Sequence, residues 1–272
     1  MQENNPNEDP LTTDVLEENP DLENPELENE DGLQQLLEWA IGGFIGLCVV
    51  GLVLAVVSPQ PRIGKRGMTP SLRNLKQISN AMHKYEAANM HFPPAYIADE
   101  NGKPMHSWRV LILPFLERED LFERYSFDEP WDGPNNSKLH SEIVEVYRSP
   151  KDLDNPVNGS SYAVVAGQGT GFEGDHETKL VEVSDGMSNT LLLVEVRNPA
   201  THWMEPVDIT LEAALVRFSD APKAEASFDQ VNEINVTLMD ASTHTIECPV
   251  SAENLKALAT IDGGEIVDIT DL

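Results

Sequence analysis

Gly169, Gly171 and Gly174 spell GxGxxG directly after the apolar run SSYAVVA, the pattern with which a strand, turn and helix cradle a dinucleotide pyrophosphate. The next residues, DHETKL, lack the small and apolar periodicity of a helix able to receive that phosphate, so the segment reads as a flexible Gly-rich loop and no cofactor is expected. Ser184, Asp185, Gly186, Ser188 and Asn189 form a polar turn whose oxygens, with Asp185 and Asn189 foremost, suit a hard cation such as Ca²⁺. The plainer reading is an Asp-Gly turn in which Asp and Asn side chains bond neighbouring amides. The seven histidines show no metal spacing. His83 and His91 flank helix positions, His106 adjoins Trp108, and His176, His202 and His244 fall among turns; His202, Asp240 and His244 can still converge as a composite site. GxSxG, HExxH and paired Cys/His arrangements are absent from the sequence. The chain is expected not to be an enzyme.

The elements that must position these residues begin with an apolar stretch. Trp39 to Val57, WAIGGFIGLCVVGLVLAVV, contains no charged side chain; as a helix rising about 1.5 Å per residue it reaches roughly 28 Å, close to the ~30 Å hydrocarbon core of a bilayer. A transmembrane helix over 38–58 is expected. A core helix would keep a polar stripe, and a signal peptide would open with basic residues, whereas residues 1–38 contain no Lys or Arg. Gly42 and Gly46 form a GxxxG step that allows two such helices to approach, so self-association through the anchor is expected.

The anchor divides the chain. Residues 1–37 are almost wholly Glu, Asp, Asn and Pro with isolated Leu, a disordered acidic tail by composition. Residues 59–69 are a basic linker with Arg62, Lys65 and Arg66. Of 47 acidic residues 13 precede Trp39, which leaves 34 against 18 basic residues in the remainder; that surplus argues against a nucleic-acid partner. Cys48 falls inside the span and Cys248 near the C-terminus, so no disulfide framework is expected.

Residues 70–272 read as one α+β domain. Leu72, Leu75, Ile78, Met82 and Tyr85 recur at steps of three and four, an amphipathic helix of about five turns ended by Pro93 and Pro94. SWRVLILPFLEREDLFERYSF is apolar to Leu116 and then helical in period, with Pro114 suited to a first turn. EPWDGPNNSKLH is turn chemistry. SEIVEVYRSP, SSYAVVAG, TKLVEVSDG, NTLLLVEVRN and INVTLMDASTHTIE read as short strands. Helices early and strands late predict an antiparallel sheet packed on the first helix. Trp108, Trp131 and Trp203 are expected at the surface, where they would serve a module binding a sugar or other small solute.

NLKQISNAMHKYEAANMHFPP, SWRVLILPFLE, EPWDGPNN, VSDGMSNTLLLVEV and VNEINVTLMDAS resemble, in this order, the blocks of a planctomycete membrane-protein family known as domain of unknown function 1559. Its members are similar to type II secretion pseudopilins and type IV pilins, which implies a pilin-like fold: a long helix, membrane-embedded in its first half, leaning on a small exported sheet. The resemblance has departures. No short basic prepilin leader precedes the anchor. The family's Cys-Pro-Ser block stands here as Arg148, Ser149, Pro150, and its late Asp-Gly-Ser as Asp240, Ala241, Ser242. Gly64, Lys65, Arg66 and Gly67 interrupt a continuous spine. The basic linker favours a cytoplasmic domain by the positive-inside rule, whereas the resemblance favours an exported one. The expectation drawn is a single-pass protein of the bacterial inner membrane with its domain on the exported side, serving as a non-catalytic pseudopilin-like structural or assembly component, or alternatively as an anchored solute- or carbohydrate-binding module.

Overall fold

Thr69 starts the first helix, its hydroxyl accepting from the Leu72 N–H while Pro70 occupies the first turn, where its missing donor costs nothing. The computed structural model describes residues 68–154, 156–196, 201–220, 232–265, 267, 269 and 272. The acidic tail, the apolar span with Gly42, Gly46 and Cys48, and the linker up to Gly67 lie outside the described residues. Among the described residues no helix is long and apolar enough to cross a membrane.

Helix α1 runs Pro70–Asn89 and stops at Met90, which adopts a left-handed φ of 68°. It buries Leu75, Ile78, Ala81 and Met82 completely or nearly so, the stripe that the three-and-four spacing predicts. The strands β1 (Tyr96–Ala98) and β2 (Pro104–Ser107) make a hairpin. Asp99 accepts from the Asn101 and Lys103 amides and so shapes its turn. Next come two one-turn helices, α2 (Trp108–Leu111) and α3 (Glu119–Phe122), flanking a 3₁₀ turn at Leu113–Leu116 that carries Pro114. The expected turn at 129–136 is built around buried Asn136, whose side chain bonds Ser126, Glu129 and Pro130.

The central sheet holds β3 (Tyr162–Ala163), β5 (Leu191–Glu195), β7 (Glu233–Leu238) and β8 (Thr243–Glu247) in the order β3-β5-β7-β8, all antiparallel. A parallel bridge pairs β4 (Val165–Ala166) with β6 (Ile209–Thr210). Strand β5 is buried at every position, because α1 covers one face of the sheet and two later helices cover the other. These are α4 (Leu211–Phe218), capped by Thr210, and α5 (Ala252–Ala259), capped by Ser251. Ile234, Val236, Leu238 and Ile246 pack with Ala214, Phe218, Leu255 and Leu258 in one core; Leu75, Ile78, Met82, Leu192 and Leu193 belong to the other. The domain is thus α+β, with its first helix on an antiparallel sheet.

Three expectations change. SEIVEVYRSP and TKLVEVSDG are not strands; each contains a 3₁₀ turn, at Glu145–Tyr147 and Leu180–Glu182. In the first, Val144 and Tyr147 point inward at a spacing of three, and in the second Val181 is 87% exposed, so neither has a face to give a sheet. Helices are also not confined to the first half, since α4 and α5 close the sheet's second face. Trp108 and Trp203 are core residues at 0% and 1% exposure; their large apolar surfaces win over their polar edges once each indole N–H has an acceptor.

Candidate functional site

Ser107 ends β2 and caps α2, its hydroxyl accepting from the Arg109 N–H. That tight turn drives Trp108 and Arg109 together into the interior, where Arg109 is only 1% exposed. A guanidinium leaves water only for a complete set of acceptors. Its Nε donates to Ser160 Oγ at 3.1 Å, Nη1 to Ser107 Oγ at 3.1 Å and Asp208 Oδ2 at 3.2 Å, and Nη2 to the Tyr162 carbonyl at 2.8 Å and Asp208 Oδ1 at 2.7 Å. Asp208 also accepts from Trp108 Nε1 and the Val164 N–H. Burial pushes the Asp208 carboxyl up, while the guanidinium and its other donors pull it down. Tyr147 donates to the Arg109 carbonyl at 2.7 Å, and burial raises its phenol above the ordinary range.

Against this pair lies a cavity of about 600 Å³, lined by Ala163, Val196, Val207, Ile209, Ala213 and Val216 and by the exposed Thr210 and Glu212. Its size is that of a small-molecule pocket. None of its described lining residues is His, Cys or Lys, and the Arg109–Asp208 floor has no spare donor. The arrangement can hold an apolar group; it presents no activated nucleophile.

The residues singled out in the sequence go elsewhere. His202 stacks on Trp131 at 5.7 Å and lies 4.8 Å from His140, between centroids. Its Nδ1 accepts from the Met204 N–H at 3.0 Å, so Nε2 carries the proton donated to the His140 carbonyl at 3.1 Å; burial lowers its pKa. Asp240 and His244 instead serve the β7–β8 turn, both bonding Ser242. Among the described residues no three His, Cys, Asp or Glu gather in a metal-holding group. Asp185 Oδ1 and Oδ2 accept from the Gly264 and Gly263 amides at 2.8 and 2.9 Å, and Asn189 Nδ2 donates to the Asp185 carbonyl at 2.8 Å. The Asp185–Asn189 turn therefore clamps the loop after α5. In the Gly-rich loop, Gly169 has φ 75° and its N–H meets the chain's own Glu173 carboxylate at 3.0 Å. No helix follows it, only a turn and the 3₁₀ segment Leu180–Glu182.

A second buried polar cluster joins α1 to the sheet. Glu195, 7% exposed, accepts from Ser71, Ser149 and Asn235, and Thr245 donates to Asn235 at 2.7 Å. Sequence reasoning missed Arg109 and Asp208. A lone Arg within the apolar run SWRVLILPFL was a signal for the first; Asp208, in an unassigned loop, had none.

Residues 69–179 match the model of the SBP_bac_10 family, described as a protein of unknown function (DUF1559). Neither a curated protein nor a solved structure matches the chain.

Proposed function

We propose that this chain, whose residues 69–179 match the DUF1559 family, is a membrane-anchored, non-catalytic, pilin-like structural or assembly component of a bacterial envelope. Residues 38–58 would be its span, and the α+β domain would lie on the exported side. What supports the reading is the amphipathic α1 laid along an antiparallel sheet, a short linker after an uncharged stretch long enough for a bilayer. Assembly through the span is tested by crosslinking in membranes. Replacing Gly42 and Gly46 by Ile blocks close approach while leaving insertion intact, so the dimer fraction should fall; an unchanged fraction overturns it. A reporter active only outside the cytoplasm, fused at Leu272, tests the side.

A second reading, an anchored module that binds a small solute, is favoured by the cavity beside α4. Trp131 is the one of the three tryptophans that remains partly exposed, so the cavity replaces an aromatic platform as the place to look. Val216→Trp would fill it and should abolish binding of any solute that stabilises the parent protein.

A further inference from the structure

No Asp or Glu lies between Glu38 and Glu86, and six Lys or Arg do: Arg62, Lys65, Arg66, Arg73, Lys76 and Lys84. The 34 acids that follow are set against only 12 basic residues. The segment next to the apolar stretch is thus purely basic in a chain that is otherwise acidic. Within α1, residues 73, 77, 80 and 84 fall within about 60° of one another around the axis at 3.6 residues per turn. All four, Arg73, Gln77, Asn80 and Lys84, are exposed, while the opposite face is buried on the sheet. Lys76 is drawn aside to the Ala241 carbonyl at 2.6 Å. Arg73 and Lys84, by contrast, make no side-chain hydrogen bond or ion pair among the described residues, although acids are abundant. Half-buried Glu86 lies two residues beyond Lys84, on another side of the helix.

We propose that this exposed stripe of α1 docks on the anionic phospholipid headgroups of the membrane in which residues 38–58 are anchored. The inference rests on that anchor reading. An uncompensated cationic helix face finds complementary charge in an anionic lipid surface, whereas the described residues of the domain supply no partner for Arg73 or Lys84. The acidic tail has the right charge, but a span over 38–58 puts it across the bilayer from α1. Each Lys or Arg held near an anionic surface strengthens attachment about fivefold, and the attraction fades within a Debye length of about 10 Å.

The test is acetylation of the full-length chain in lipid nanodiscs, with Lys84 labelling read by mass spectrometry against exposed Lys103. Discs of phosphatidylcholine are compared with discs that also contain phosphatidylglycerol. The expected result is slower labelling of Lys84 only in the anionic discs, restored by high salt, weakened about fivefold by Arg73→Gln and strengthened by Gln77→Lys. Equal labelling in both discs, or protection indifferent to salt and to Arg73→Gln, overturns the proposal while incorporation into neutral discs leaves the anchor intact. A chain that fails to enter neutral discs but shows Arg73-dependent protection on anionic ones defeats the anchor and keeps the stripe. If deleting residues 1–31 exposes Lys84 in neutral discs, the tail covers α1 and the lipid reading falls.

Discussion

The Arg109 guanidinium and the Asp208 carboxylate meet at 2.7 Å with side-chain exposures of 1% and 3%. Through this pair, α2 is tied to Ser160, to the end of β3 and to the segment that leads into β6 and α4. The guanidinium also lies 4.5 Å over the Trp108 ring. Removing one partner strands the other in a medium that cannot solvate it. Asp208→Ala should therefore destabilise the protein by about 3–5 kcal/mol in urea unfolding. The double variant Arg109→Met/Asp208→Leu should recover most of that loss, because nothing charged is left buried. A double variant no more stable than Asp208→Ala would show that the pair fixes the fold by geometry and not by mutual neutralisation.

Ala241 holds φ 65° at the β7–β8 turn, a left-handed backbone that glycine adopts readily. A left-handed backbone costs an L-residue about 1–2 kcal/mol, and the entropy of a Gly offsets part of this. Ala241→Gly should raise stability by about 0.5–1 kcal/mol, with the Lys76 bond to the carbonyl retained. A lower melting temperature for this variant would mean that the turn depends on the alanine methyl.

Burial lowers the pKa of His83, His106 and His202 below the ordinary 6.5. The folded protein therefore binds fewer protons there than the unfolded chain. Their contribution to stability is complete above about pH 6.5 and is lost as pH falls through that value toward their lowered folded pKa values. Unfolding free energy measured between pH 7 and 5 should fall with acid, and His202→Gln should flatten the slope. A profile that is level over this range sinks the assignment of all three.

Asp185 spends both carboxylate oxygens on the Gly263 and Gly264 amides. Asp185→Ala should cost about 1–3 kcal/mol and speed amide exchange at those glycines. Added Ca²⁺ should not change the melting temperature of the parent. If it does, and the variant does not respond, the turn is a cation site after all.

Periodicity and turn chemistry determine much of this domain before any long-range contact is considered. The α1 stripe of Leu75, Ile78 and Met82, the Thr69 cap, the β7–β8 hairpin and the turn around Asn136 are written within windows of a few residues, because each depends on local geometry that side-chain order dictates. What lies outside such windows was decided by tertiary structure. Trp108 and Trp203 became core because distant acceptors, Asp208 and Glu142, were brought to their indole nitrogens. Glu195 could be buried because Ser71 and Asn235 arrive from different elements to bond it. The IVEV and LVEV alternation in SEIVEVYRSP and TKLVEVSDG has no such partner strand, and those segments turned instead. His202 was parted from Asp240 and His244 for the same reason: a charge or ring in the interior goes where its hydrogen bonds are satisfied, and the groups that satisfy it are set by the packing of the whole chain.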